Sequence, residues 1–160
     1  CYAGSKADPV TFSAHERARA RRYAKQALDQ WDRSGTDLPM IRQQFLETED
    51  CSKADTGYFI ELLSEAPKKI DIIDENIAEY IDRPAAQLEP VERAVLRLAT
   101  YELLYRLDIP YRVTLNEAVQ LTKKFGSEQG HAFVNGVLDK VAHKLRAAEC
   151  KKAGQQAAGR

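Results

Sequence analysis

The chain has 160 residues and a mass of 18.0 kDa, and its 24 basic and 24 acidic residues cancel to a formal net charge of zero. This length suits one domain or two very small ones, and no apolar run approaches the ~20 residues of a membrane-spanning helix. The neutral total says nothing about nucleic acid or membrane as partners, so only the distribution of charge along the chain is informative.

The two ends of the chain lack the periodicity of the middle. Residues 1–14 are expected to form a loose leader, and residues 147–160, which carry almost no large apolar side chain, a disordered tail. After the leader, Ser13 and Glu16 have the spacing of a capping box, in which a serine and a glutamate satisfy backbone donors reciprocally. This spacing predicts the start of a first helix.

Prolines delimit the next three predicted helices. Pro39 is tolerated in the first turn of a second helix, and an apolar stripe predicts a third helix over about 53–65. Pro67 then starts a fourth helix, which ends before Pro84 because the residue preceding a proline disfavours helical dihedrals.

The C-terminal part has the clearest helical pattern. Pro90 begins a fifth helix whose apolar stripe is wide enough to predict burial on more than one side. Thr114 and Glu117 form a second capping box that starts a sixth helix, and a seventh follows. The sequence therefore predicts an all-α bundle of about seven helices, with an N-terminal half at 15–83 and a C-terminal half at 84–146.

Charge is unevenly distributed along the neutral chain. Five cations and no acid lie within residues 17–25, and residues 44–89 are strongly acidic. Neighbouring like charges on a helix repel each other, which favours counter-charge from an external phosphate backbone, and single-stranded RNA suits the arginine-rich run. The alternative is a solvated helix face. The acidic segment is either an ordinary helix surface or a docking face for a basic partner.

Catalytic chemistry is not evident in the sequence. Cysteines at 1, 51 and 150 lack metal-ligand spacing, which fits a reducing cytoplasm, and Cys1 and Cys150 fall in the two expected loose ends. None of the three histidines lies near a cysteine at a metal-ligand spacing, and no phosphate-binding glycine loop is present. We therefore expect no enzyme, no cofactor and no metal site.

Two segments resemble a known family. Val-Glu-Arg-Ala-Val-Leu-Arg-Leu-Ala at 91–99 and Phe-Val-Asn-Gly-Val-Leu-Asp-Lys at 133–140, with Ile-Pro-Tyr at 109–111 between them, are similar to the NusB family of bacterial transcription antitermination factors. The resemblance runs from about residue 16 to 146. It implies an all-helical fold of two three-helix-like subdomains.

The resemblance also implies a function and partners. Such a protein binds the boxA element of nascent RNA together with ribosomal protein NusE. The complex then joins RNA polymerase and other Nus factors, above all on ribosomal RNA operons in the bacterial cytoplasm. Some family members form homodimers when free, and the sequence leaves monomer and dimer as alternatives.

Site residues follow from the family's pattern. The implied RNA-binding residues and their charged neighbours are Arg17, Arg19, Arg21, Arg22, Lys25, Glu128, Gln129 and Phe133. Glu92 matches a glutamate on the family's NusE face, although a carboxylate at a helix start also has a structural explanation. Phe133 has helical core spacing as well. Two positions depart from the family: Ala18 replaces an arginine and Asp29 an aromatic residue.

Two other functions remain open at this point. A helical scaffold that binds only proteins would lose nothing specific when the first-helix arginines are neutralised. A similar domain is also found in ribosomal RNA cytosine methyltransferases, which need a further Rossmann-like catalytic domain that these 160 residues do not include.

Overall fold

The described part of the chain, residues 9–48 and 53–158 of a computed structural model, is helical and contains no strand. This confirms the predicted all-α class, with eight α-helices where the sequence predicted seven. The helices are α1 (Pro9–Ser34), α2 (Leu38–Leu46), α3 (Thr56–Lys68), α4 (Ile70–Ala78), α5 (Pro90–Tyr105), α6 (Tyr111–Phe125), α7 (Gly130–Leu145) and α8 (Ala147–Ala158), and a 3-10 turn spans Ala85–Gln87. None of the described helices is both long and apolar enough to cross a bilayer.

The chain divides into two units, one ending at Pro67 and the other beginning at Lys68. In the first unit, α1 and α2 pack together and aromatic rings link three helices. The ring centroids of Tyr23 and Phe45 are 6.2 Å apart, and those of Phe45 and Phe59 are 5.9 Å apart. The described core of this unit also includes Ala20, Ala24, Ala27, Leu28, Ile41, Leu62 and Leu63.

The second unit is built around α5, which packs against α4, α6 and α7. Every residue from Ala94 to Leu103 is buried, as the wide apolar stripe predicted. The buried set includes polar side chains, two of which have partners on other helices. Arg97 Nη2 donates to Asp74 Oδ2 at 2.8 Å, and the Thr114 hydroxyl donates to Glu102 Oε1 at 2.9 Å.

Arg146 closes the C-terminal end of α5. Its guanidinium donates to the carbonyls of Glu102, Leu103, Arg106 and Ile109 at 2.9–3.1 Å, and its side chain is only 4% exposed. The last carbonyls of a helix have no partner within the helix. The carbonyls of Glu102 and Arg106 also accept from backbone amides, so the arginine adds a second donor to these two and supplies a donor to those of Leu103 and Ile109.

The expected leader and tail are both helical where the structure describes them. α1 already begins at Pro9, so Ser13 lies inside the helix and does not cap it. Residues 147–158 form α8, which needs few large apolar side chains because polar contacts hold its first turn. The Glu149 carboxylate accepts hydrogen bonds from the Tyr111 amide at 2.9 Å and from Arg146 at 2.7 Å.

Other predicted boundaries also differ. α6 begins at Tyr111, because the Thr114 side chain bonds Glu102 and is not available as a cap. α3 begins and ends three residues later than predicted and contains Pro67 in its last turn, so this proline does not start α4. The division between the units at Pro67 places α4 with the C-terminal unit, whereas the sequence placed the division near 84–90.

Candidate nucleic-acid interface

The five cations of α1 do not form one exposed surface. Arg17, Arg19 and Arg22 are partly exposed, but Arg21 and Lys25 are each only 6% exposed. Their positions place them beside the buried alanines of α1, since residues three and four apart share a helix face. The prediction that Arg21 and Lys25 present their charge to RNA alongside Arg17 is therefore not supported by their burial.

Arg17 is held between α1 and the start of α3. Its guanidinium carbon lies 5.3 Å from the centroid of the Tyr58 ring, and its Nε lies 3.8 Å from Asp55 Oδ2. Arg21 lies over the same ring at 5.7 Å. A cation within about 6 Å of a ring centroid is attracted by the aromatic quadrupole.

Arg22 has its own aromatic partner on α1. Its guanidinium carbon is 5.1 Å from the Tyr23 ring centroid, and its Nη2 donates to the Tyr23 hydroxyl at 3.3 Å. The sequence argument assigned the counter-charge of this run to an external phosphate alone. The fold itself supplies part of this counter-charge, through the Asp55 carboxylate and the rings of Tyr58 and Tyr23. Asp55 and Tyr58 were missed because they lie in the acidic middle of the chain, forty residues from the arginines.

The departure from the family at Asp29 has a local explanation. Its carboxylate Oδ2 lies 3.3 Å from Arg33 Nη2, one turn along α1, and the Asp29 side chain is 18% exposed. An aspartate four residues before an arginine is a favourable helical pair. Nothing in the structure explains the departure at Ala18.

In the second unit, the loop between α6 and α7 holds the other implied RNA-binding residues. The Gly126 amide donates to Thr122 O at 2.7 Å, and Ser127 Oγ accepts from the amide of Gly130, the first residue of α7, at 3.1 Å. Glu128 and Gln129 are exposed in this loop. They are therefore presented on a segment whose two ends are fixed by hydrogen bonds.

Phe133 and the neighbouring cations complete the description of this region. Phe133 is only partly buried, so its contact with RNA stays a prediction. Lys123 and Lys124 lie exposed in the last turn of α6, with the Lys124 ammonium 5.9 Å from the Phe125 ring centroid. Basic side chains in the last turn of a helix are favourable because they face the negative end of its dipole.

Glu92 contacts the start of α7. A Cβ atom placed on Gly130 would lie 2.8 Å from Glu92 Oε2, so the carboxylate occupies the space that a side chain would need. Partial burial and the nearby negative charge of Glu89 raise the pKa of Glu92, an effect that Arg83 partly offsets. The helix start itself is capped by Glu89, whose carboxylate accepts from the Glu92 amide at 3.1 Å.

The described residues do not gather into a metal-binding cluster. No group of three histidine, cysteine or acidic side chains among them could hold a metal ion. Cys150 lies in α8 and is buried, in contrast to the expected loose end, and burial raises the pKa of its thiol. Cys1 and Cys51 lie outside the described residues.

Comparison with known proteins decides the family. A sequence model of the NusB family matches residues 18–143. The chain belongs to the NusB family. It is 49% identical over 126 residues to the transcription antitermination protein NusB of Shewanella sediminis, covering 79% of this chain and 94% of the relative. It is 46% identical over 136 residues to NusB of Nitrosococcus oceani, covering 85% and 91% of the two chains.

Two solved NusB structures share the fold. NusB of T. maritima superposes with a TM-score of 0.71 at 35% identity, covering 79% of this chain and 89% of that one. A second structure contains the antitermination factors NusB and NusE in complex with double-stranded RNA. The chain superposes on it with a TM-score of 0.69 at 27% identity, covering 81% of this chain and 98% of that one.

Proposed function

We propose that this protein is an RNA-binding transcription antitermination factor. It binds boxA-type RNA together with ribosomal protein NusE in the bacterial cytoplasm. The complex joins RNA polymerase and the other Nus factors, notably on ribosomal RNA operons. The observation that carries the proposal is the similarity over most of both chains to proteins named for transcription antitermination.

The charge on α1 supports the RNA part of the proposal. Arg17, Arg19 and Arg22 keep part of their surface in solvent, and arginine forks suit phosphate oxygens and base faces. The buried Arg21 and Lys25 belong to the support of this surface and not to its contacts. Glu128 and Gln129, exposed in the second unit, are proposed to contribute polar contacts to the same RNA.

The environment of Glu92 supports a protein contact. Burial and a neighbouring carboxylate both disfavour its negative charge, and Glu89 already provides the helix cap. Glu92 therefore contributes little as a charged group to the free protein. A basic side chain of NusE would add to the positive charge of Arg83, which offsets these effects only in part. Glu92→Lys is expected to weaken NusE binding several-fold in a calorimetric titration, at a melting temperature close to that of the wild type.

Fluorescence anisotropy with a labelled boxA-like RNA tests the proposal directly. Affinity is measured with and without NusE, against a scrambled RNA and against both single-stranded and duplex forms. Replacing Arg19 and Arg22 together by alanine should weaken binding and lower the slope of log affinity against log salt. For a single strand, the expected reduction is about 0.7 for each lost phosphate contact.

Arg33 provides a matched control on the same helix. It stands at the other end of α1 and its side chain is 66% exposed, so Arg33→Ala removes an equal charge far from the proposed contacts. Equal affinities for the wild type, the double variant and Arg33→Ala would reject RNA binding by α1. That result, with NusE binding retained, would leave the protein-only scaffold as the better reading of the fold.

A further inference from the structure

Arg17 differs from the other partly exposed cations of α1 because a second helix holds it. The Tyr58 ring lies 5.3 Å from its guanidinium, and Asp55 Oδ2 lies 3.8 Å from its Nε. Tyr58 is 3% exposed, so its ring has a fixed position in the core. The Arg17 side chain remains 31% exposed. A rigid aromatic surface thus supports an arginine that still reaches solvent.

Asp55 connects three parts of this arrangement. Its amide donates to Glu16 O at 3.0 Å, which ties the start of α3 to the turn of α1 that precedes Arg17. Its Oδ1 accepts from the Tyr58 amide at 3.0 Å as the cap of α3. Its Oδ2 faces Arg17. The residue therefore fixes the ring and the arginine relative to one another.

The conformation of the Arg17 side chain leaves its Nε–H donor without a hydrogen bond among the described residues, which is unfavourable for the arginine by itself. The Nε atom is buried, and no side chain or backbone group in the described part of the chain accepts a hydrogen bond from it. Buried donors are nearly always satisfied, so an exception needs a reason. Holding the terminal nitrogens in a defined direction is such a reason.

We propose that Asp55 and Tyr58 are positioning residues of the RNA-binding surface, which hold Arg17 in the geometry in which it contacts the RNA backbone. The inference rests on the proposed function and adds α3 to a surface otherwise ascribed to α1. A long side chain loses rotamer freedom when it is immobilised on binding, and an arginine that is ordered beforehand loses less. Loss of either positioning residue therefore weakens RNA binding through Arg17.

A double-mutant cycle tests the inference. RNA affinity and its salt slope are measured for the wild type, Arg17→Ala, Tyr58→Leu and the combined variant. If Tyr58 acts through Arg17, Tyr58→Leu weakens binding by about three- to tenfold but has no further effect once Arg17 is alanine. Tyr58→Phe keeps the ring and is expected to bind RNA like the wild type.

Asp55→Asn keeps the protein folded while removing the charge. Asparagine caps a helix as well as aspartate does, so α3 and the Tyr58 ring are expected to stay in place, which circular dichroism and melting curves check. Arg17 then loses its carboxylate partner, and RNA affinity should fall as it does in Tyr58→Leu. The Arg17 Nε–H resonance in NMR spectra of the free protein should move in both variants and stay in Tyr58→Phe.

The outcomes separate this inference from the proposed function. If Arg17→Ala weakens RNA binding but Tyr58→Leu and Asp55→Asn do not, the positioning role is rejected and the proposed RNA binding is retained. The same conclusion follows if the effects of these two variants add to that of Arg17→Ala. If only the Arg19 and Arg22 variants weaken binding, Arg17 makes no contact and the inference also fails. If no arginine variant weakens binding, the proposed function itself fails.

Discussion

The carboxylate of Glu149 in α8 accepts a hydrogen bond from the backbone amide of Tyr111, the first residue of α6, at 2.9 Å. The contact satisfies a donor that the start of a helix cannot satisfy by itself. It also places a negative charge at the positive end of the helix dipole. A residue expected to belong to a disordered tail thus caps a helix 38 positions earlier in the sequence.

Glu149→Gln is expected to lower the free energy of unfolding by about 1 kcal/mol at neutral pH. Burial alone would raise the pKa of Glu149, but the Tyr111 amide and Arg146 outweigh burial and lower it. Because the pKa of Glu149 is lower in the folded protein than in the unfolded chain, its charge stabilises the fold at a pH above the unfolded-state pKa. This stabilisation is lost as the pH falls through the folded-state pKa. Urea unfolding at several pH values should therefore show a difference from the wild type that shrinks in acid; a constant difference would contradict this account.

Arg146→Met is expected to be the most destabilising substitution in the second unit, by about 3 kcal/mol. Methionine has a similar length but no donors, so the carbonyls of Leu103 and Ile109 lose the donor that Arg146 gives them. The variant also removes the ion pair with Glu149. Urea unfolding measures the loss, and Lys140→Met, an exposed position on α7, serves as the control with the same charge change.

Arg21→Met is expected to leave the salt dependence of RNA binding unchanged. The side chain is 6% exposed and lies over the Tyr58 ring, so it cannot neutralise a phosphate without leaving the core. Arg19→Ala removes a partly exposed cation and should lower the salt slope by about 0.7. A reduced slope in Arg21→Met, at an unchanged melting temperature, would show that Arg21 moves outward to meet the RNA.

Glu92→Gln is expected to melt at the same temperature as the wild type or slightly higher at neutral pH. Burial, followed by the charge of Glu89, raises the pKa of Glu92 in the folded state. The protonated Glu92 carboxyl is therefore favoured in the folded protein. Its contribution to stability is fully present at a pH below the unfolded-state pKa and is lost as the pH rises through the folded-state pKa. Glutamine mimics the protonated form, so the two melting temperatures should converge near pH 4. A clear loss of stability at neutral pH would assign Glu92 to the fold.

The two glycines that bracket the loop between α6 and α7 should respond differently to alanine. A Cβ on Gly126 would lie 2.9 Å from the backbone oxygen of Thr122, which cannot move aside, so Gly126→Ala should cost about 1–3 kcal/mol. A Cβ on Gly130 would meet the flexible tip of Glu92 at 2.8 Å. Gly130→Ala should therefore change stability by less than about 1 kcal/mol. Equal costs in thermal melts would contradict this distinction.

The apolar pattern predicted the helices better than it predicted their ends. The stripe of α5 is wide, and its burial on several sides followed from that width. Neither capping box starts a helix: Ser13 lies within α1, and the side chain of Thr114, within α6, bonds a buried glutamate. A four-residue motif carries no information on a partner from another helix. The same applies to α8, whose contacts with α6 are polar and distant in sequence.

The candidate RNA surface was predictable as a charge run but not as a set of contacts. Arginines at 17, 19, 21 and 22 are evident in the sequence, whereas their exposure depends on which face α1 turns toward its own unit. Long cationic side chains also lie along apolar and aromatic neighbours, so their burial does not follow from their charge. Tyr58 acquires its relation to Arg17 only through the packing of α3.

The arrangement around Arg146 bears on how the chain folds during its synthesis. The carbonyl of Arg106 is formed forty residues before the arginine that binds it. Since chains are synthesised from the N-terminus, the end of α5 is made before α6 and α7, and its carbonyls cannot yet bond Arg146 at that stage. The four hydrogen bonds of Arg146 can form only after α7 has been synthesised, which makes them a late step in the folding of the second unit.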